Sequence, residues 1–253
     1  MRSCLVLGSG RSGTSMVAGM ISTTGVYMGQ ALWEAREANP KGFFEDREIN
    51  AINEDLLAQV VPVRPAGRLG RLFPRRLRPW QRWLAELPVE TTIECPPAVA
   101  ERIRAQVANQ PFCFKDPRLA YTLPAWRPLL PDTVFVCVFR EPARTARSIV
   151  REAETAPYLR GVAITYERAL RVWTQVYRHV LERHRHAGEW LFLHYDQVLD
   201  GSGGERLSRF LDAPVDSTFA DRALRRSAAD GPTTPEAETL YRELCREANH
   251  ALV

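Results

Sequence analysis

Three glycines and five hydroxyl or cationic side chains fill eight consecutive positions near the start of the chain, Gly8-Ser9-Gly10-Arg11-Ser12-Gly13-Thr14-Ser15. They follow the apolar run Cys4-Leu5-Val6-Leu7. A buried strand feeding a turn of this kind, with a helix starting near Gly13, points unsatisfied N–H groups and the positive end of the helix dipole at one spot. The chemistry this suits is the holding of a phosphate or similar anion. Glycine allows the sharp bend because no Cβ stands in the way.

Three site chemistries share this outline, and the occupant of each slot separates them. Read as G-x-x-x-x-G-K-[ST], the match runs from Gly8 to Ser15 but puts Thr14 where a nucleoside triphosphatase needs lysine. Read as G-x-G-x-x-G, it asks for an acid at the end of a second strand about 20 residues on, to hold a ribose. The short strand expected over Gly25-Val26-Tyr27-Met28-Gly29-Gln30 ends without one, and Glu34 comes too late. In the third reading every slot is filled. Arg11-Ser12-Gly13-Thr14-Ser15 resembles the 5′-phosphosulfate loop of the sulfotransferase family, whose donor is 3′-phosphoadenosine 5′-phosphosulfate (PAPS). The resemblance implies donor contacts from Gly10, Arg11, Ser12, Gly13, Thr14 and Ser15, with Arg11 beside the bridging oxygen where charge grows as the S–O bond breaks. A fixed cation there stabilises the transition state more than the ground state.

A second motif lies further on. Thr133 to Phe139 (Thr-Val-Phe-Val-Cys-Val-Phe) is a continuous apolar run of strand length, as a central parallel strand should be. It ends at Arg140, and Ser148 follows eight residues later on the next expected helix, which Pro142 opens. The same family carries an arginine and a serine in this spacing, and there they grip the donor's 3′-phosphate. A guanidinium fork and a hydroxyl can converge on one phosphate in this way. The plainer alternative is that Arg140 and Arg144 are solvated surface charges. Trp190-Leu191-Phe192-Leu193-His194-Tyr195-Asp196 is another strand, and Tyr195 resembles the family tyrosine that touches the adenine. A C-terminal basic loop closes over the 3′-phosphate in the family, and Arg225 and Arg226 would do so here by that resemblance, with no spacing that fixes them to it.

The acceptor side needs a base within reach of a hydroxyl. None of the five histidines (His179, His184, His186, His194, His250) falls between the two phosphate motifs, so histidine catalysis is not expected. In the branches of the family that act on sugars and tyrosyl side chains, a glutamate after the first βα unit is the base. In the segment Asn39-Pro40-Lys41-Gly42-Phe43-Phe44-Glu45-Asp46 that resemblance selects Glu45, with Asp46 and Glu48 as fallbacks. Phe43 and Phe44 would supply the apolar surroundings that raise a carboxylate's pKa. The alternative is that Glu45 and Asp46 merely cap the helix beginning near Arg47. Lys115, in Phe112-Cys113-Phe114-Lys115-Asp116-Pro117-Arg118, is with Lys41 one of only two lysines and is expected at the same rim. Either Lys115 or Arg118 helps to neutralise the transferring group, or Asp116 and Arg118 pair and brace the loop; both readings stand.

These side chains need a scaffold that brings several strand ends together, and open parallel sheets do so at their carboxyl edge. The order of elements predicts an α/β three-layer sandwich with a central, mostly parallel sheet, the P-loop NTPase-like fold that the resemblance also implies. Strands are expected at 4–8, 25–29, 112–115, 133–139 and 190–195. Helices are expected at 13–23, 46–60, 80–86, 97–108, 122–129, 142–154 and 162–187, with only helices after 204, one of them at 235–250. Length and 45% apolar content fit a single domain over 1–253, with 62–79 as a possible basic flap and a helical part from 205. From Arg64 to Arg82 there are seven arginines and no acid, broken by five prolines and glycines. Nucleic-acid binding would call for interleaved aromatics, and only Phe73, Trp80 and Trp83 are present, so no nucleic-acid partner is expected.

Five cysteines without a C-x-x-C pair point to buried free thiols in a reducing compartment, and no metal is expected. No stretch reaches the ~18 apolar residues of a membrane span, and the first strand starts too early for a signal peptide. A cytoplasmic location is therefore expected. The reading is a PAPS-dependent sulfotransferase that yields adenosine 3′,5′-bisphosphate and takes a small-molecule, glycan or natural-product hydroxyl as acceptor, with a homo-oligomer left open. The alternatives are a Mg²⁺-dependent P-loop kinase using Lys115 and Asp116, and a non-catalytic nucleotide- or RNA-binding protein.

Overall fold

A computed structural model describes residues 1–35, 40–73, 76–220 and 231–251. Arg225 and Arg226, Asn39 of the acceptor segment, and residues 74–75 of the basic stretch lie outside them. Four parallel strands form one sheet in the order β2-β1-β3-β4, with β1 Ser3–Leu7, β2 Cys113–Lys115, β3 Thr133–Phe139 and β4 Trp190–His194. The pairs Val6↔Lys115, Leu7↔Cys137 and Phe139↔His194 fix the register at the carboxyl edge. Every residue of β1 and β2 is buried, and so are six of the seven in β3. Such strands read as unbroken apolar runs because both faces are covered.

Successive residues point to opposite faces, and the two faces feed two cores. Leu5, Leu7, Phe114, Phe135, Cys137 and Phe139 join a large core with α2 Arg47–Ala58, α3 Pro97–Val107, α4 Leu119–Trp126 and α6 Tyr166–Arg178. Cys4, Val6, Cys113, Val136 and Val138 join a smaller one with α1 Thr14–Ser22, α7 Tyr195–Asp200 and α8 Ser202–Leu211. With α5 Pro142–Thr155 and α9 Pro235–Glu247, this is the expected three-layer α/β sandwich.

Some elements differ from the sequence reading. The strand expected at 25–29 is one parallel bridge, Tyr27 to Phe112, between glycines whose positive φ values (77° and 111°) bend the chain away from the sheet. The helix expected at 80–86 is a single 3₁₀ turn, Arg82–Leu84, because Trp80 takes φ 71° and interrupts the helical path. The helix expected at 162–187 starts at Tyr166, where the Thr165 side chain accepts from the Arg168 N–H as N-cap, and it ends in a π-turn over His179–His184. The helix expected at 122–129 is α4, opening at Leu119 and giving way to a 3₁₀ turn at Arg127–Leu129.

Candidate active site

All four strands send their carboxyl ends to one rim. There β1 runs into Gly8, β2 into Asp116, β3 into Arg140 and β4 into Tyr195. The glycine loop is tied to this frame from below: the Ser9 N–H donates to Tyr177 Oη at 3.2 Å, and Tyr177 donates to the Val138 carbonyl at 2.8 Å. Gly13 is the N-cap of α1 with φ 96°, and a Cβ there would strike the Tyr195 ring. No side-chain hydrogen bond caps α1 and no acid sits in its first turn, so the helix presents its N–H groups and positive dipole end at the loop.

A cavity of about 300 Å³ opens over this loop. Gly10, Arg11, Thr14 and Ser15 form one side of it, and Glu45, from the turn before α2, lies on another. Between them stands Lys115 at the end of β2. Its Nζ donates to Glu45 Oε1 at 2.5 Å and to Ser15 Oγ at 3.1 Å, and its side chain is almost fully buried. Among the described residues, then, the expected base and the expected loop share one cation.

The fallback carboxylates have other occupations. Asp46 is the N-cap of α2, accepting from the N–H groups of Glu48 (2.9 Å), Ile49 (3.1 Å) and Ala31 (2.8 Å). Glu48 pairs with Arg102 at 2.6 Å. The capping role that the sequence left open between Glu45 and Asp46 thus falls to Asp46. Phe43 lines the cavity, whereas Phe44 (φ 53°) turns its ring onto Phe219, 5.4 Å between centroids. Lys41 donates to the Phe219 carbonyl at 2.8 Å and does not line the cavity.

Asp116 and Arg118 pair with each other at 3.0 Å. Asp116 is wholly buried and also accepts from Asn50 (2.7 Å), Asn53 (3.0 Å) and the Arg118 N–H (2.8 Å). Arg118 reaches Glu54 at 2.7 Å, and Glu54 in turn holds Arg82 at 2.6 Å. Burial opposes the charge on Arg118, but Asp116, Glu54 and Glu45 outweigh it and raise its pKa. This chain of charges anchors the end of the basic stretch, whose other end, Arg64, is buried and donates to the Gly70 carbonyl at 2.7 Å. Arg68, Arg76 and Arg78 are exposed.

Arg140 is buried, with its guanidinium carbon 4.4 Å from the centre of the Tyr195 ring. It is therefore not a solvated surface charge. Ser148, on α5, accepts a hydrogen bond from Arg11 Nε at 3.2 Å, so the serine of the second motif meets the arginine of the first. Ser12 Oγ lies 3.5 Å from Thr145 Oγ1 on the same helix.

Sequence reasoning missed part of the cavity. Glu152 lines it, one helical turn beyond Ser148, and the i, i+4 spacing was the available signal. Tyr158 lines it too and donates to Glu152 Oε1 at 3.3 Å; burial first, then the charges of Glu152 and Glu45, push its phenol pKa well up. Trp33, Trp80 and Trp83 complete an aromatic wall. No periodicity announces these, because they come from irregular segments.

The model of the family described as the sulfotransferase family matches residues 4–217. The chain is similar in fold to the sulfotransferase domain of the Synechococcus PCC 7002 olefin synthase, at 16% identity and a TM-score of 0.52, covering 100% of this chain and 96% of that one. It is similar also to the sulfotransferase domain from the curacin biosynthetic pathway, at 13% identity and a TM-score of 0.55, covering 100% and 99%. No curated protein matches it in sequence. Among the described residues no helix is long and apolar enough to cross a membrane.

Proposed function

The chain belongs to the sulfotransferase family, and on that premise we propose that, as one domain over 1–253, it transfers a sulfuryl group from PAPS to an acceptor hydroxyl. One observation carries the reading: a single cavity is lined by Arg11, Thr14 and Ser15 of the glycine loop and by Glu45, with Lys115 bonded to both Ser15 and Glu45. The donor set fits an anionic donor, since it combines guanidinium and ammonium cations, hydroxyls and a helix N-terminus.

The donor supplies a sulfur whose bond to the 5′-phosphate oxygen breaks as the acceptor oxygen attacks in line, leaving adenosine 3′,5′-bisphosphate. Arg11 balances the charge that collects on the departing phosphate oxygen, where a pre-set cation is worth most. Thr14 and Ser15 hold that phosphate with their hydroxyls, and Gly10, Ser12 and Gly13 supply the turn. Arg140 and Ser148 hold the 3′-phosphate, and Tyr195, beneath Arg140, meets the adenine. Glu45 takes the acceptor's proton, and Lys115 orients that carboxylate and offsets charge on the transferring group. Side chains and backbone N–H groups thus provide the electrophilic surroundings without calling on a metal. The acceptor is a hydroxyl on a small molecule, glycan or natural product able to lie against the aromatic wall, and the reaction is assigned to the cytoplasm.

The kinase alternative needs Asp116 as a metal ligand and Lys115 on a phosphate. Four N–H donors already occupy Asp116, and Glu45 holds Lys115, which disfavours it.

The test is a thermal-shift comparison of adenosine 3′,5′-bisphosphate with ADP, ATP plus Mg²⁺, and NAD(H). A ligand at 100 times its Kd adds roughly 2.7 kcal/mol, or about 5–11 °C for a chain of this size. Stabilisation by the bisphosphate and not by ADP is the expected result. A response to ATP with Mg²⁺ alone would overturn the proposal.

A further inference from the structure

Arg11 is held from the far side of the loop. Its backbone takes φ 71°, unusual for a residue with a side chain. The guanidinium is thereby turned toward α5, where Nε donates to Ser148 Oγ at 3.2 Å and Nη1 lies 3.6 Å from Glu152 Oε2. The Glu152 side chain is only 4% exposed, and that of Arg11 25%. Glu152 thus sets a buried carboxylate beside the Arg11 guanidinium at the wall of the cavity. Glu152 is itself fixed: it is anchored on α5 and takes the Tyr158 Oη–H at 3.3 Å. No motif contains it.

We infer that Glu152 is a positioning residue for Arg11, holding the guanidinium in its working orientation before the donor arrives. The inference rests on the catalytic role proposed for Arg11. Arginine carries a large side-chain entropy, and ordering it on binding weakens affinity unless the order already exists. Two contacts from one helix, spaced one turn apart, supply that order. Ser148 then has two duties, and α5 couples the two ends of the donor site: when Ser148 turns to a 3′-phosphate, Glu152 keeps Arg11 in place.

The test uses ¹⁵N relaxation of the Arg11 Nε–H, its resonance assigned by its loss in Arg11→Ala, and calorimetry with adenosine 3′,5′-bisphosphate as the probe. In Ser148→Ala the Nε–H has lost its own partner and Glu152 alone holds the guanidinium. There the Nε–H order parameter should stay near that of rigid backbone, about 0.85, and adding Glu152→Gln should bring it below about 0.6. Glu152→Gln should weaken the probe about 3–10-fold, the cost of ordering one long side chain, and have no effect in the Arg11→Ala background. An order parameter unchanged on adding Glu152→Gln, tighter binding in Glu152→Gln, or losses that multiply when it is combined with Arg11→Ala would each overturn the inference. A merely structural Glu152 would lower the melting temperature and leave the cycle additive. If the unmodified protein does not bind the probe, the donor reading fails, while the relaxation result still decides whether Glu152 orders Arg11.

Discussion

The Nε–H of Arg11 donates to Ser148 Oγ at 3.2 Å across 137 residues of chain. This contact joins the glycine loop after β1 to the helix after β3, the two segments expected to hold opposite ends of one donor. Arg11→Ala should therefore lower kcat by about 10²–10³-fold while weakening adenosine 3′,5′-bisphosphate much less. Steady-state turnover set beside calorimetric Kd values checks this, and equal losses in both would remove the catalytic role.

Ser148→Ala bears on the 3′-phosphate. A hydrogen bond to a charged group is worth roughly 1.5–3 kcal/mol. The variant should therefore lose affinity for the bisphosphate by at least about tenfold, which brings it toward the weak binding of ADP, a nucleotide without the 3′-phosphate. A uniform loss for both nucleotides would place Ser148 elsewhere.

Glu45 and Asp46 are neighbours with separate duties. Glu45→Gln should cut turnover by about 10²–10⁴-fold. It should also lower stability, because it takes the carboxylate from the almost fully buried Lys115. Asp46→Ala should cost about 0.5–2 kcal/mol of stability through loss of the α2 cap and leave turnover nearly unchanged. Turnover separates the roles while urea unfolding reads the stabilities, and a Glu45→Gln enzyme of normal kcat would end the case for that base.

Two histidines away from the site set the acid limb of stability. Burial lowers the pKa of His179 to about 4 and of His184 to about 3, with backbone bonds to the Leu87 and Ala120 carbonyls opposing it. Unfolded, both titrate near 6.5, so below that pH the unfolded chain binds more protons than the folded one. Stability should be full above about pH 6.5 and fall as pH drops, by up to ~1.4 kcal/mol per pH unit for each histidine. Urea unfolding between pH 8 and 5 checks the slope, and His179→Gln should roughly halve it. A flat profile between pH 6.5 and 5 would show that neither ring is held neutral.

The amino-acid order by itself determined four of the five expected strands and the turns that leave their carboxyl ends; the fifth, at 25–29, is one bridge. An apolar run such as Thr133–Phe139, buried at six of its seven residues, is dictated by its own composition and length. The Gly8–Ser15 loop and the Arg140/Ser148 spacing could be read for the same reason, because a strand, its turn and the next helix are consecutive in the chain. Tertiary structure alone decided which charges meet. Lys115 pairs in register with Val6 because β2 lies beside β1; only that neighbourhood brings its Nζ to Ser15 and Glu45. Asp46, next to Arg47 with extended backbone, caps α2, and Glu45 is left to Lys115, a partner 70 residues away. Glu152 and the tryptophans enter the cavity from α5 and from irregular segments whose paths are set by long-range packing, through contacts such as Arg82 to Glu54 and Arg118 to Asp116. Periodicity reports the face a residue turns to its own element's neighbours. It does not report which distant side chain waits there, since that depends on how the layers are stacked.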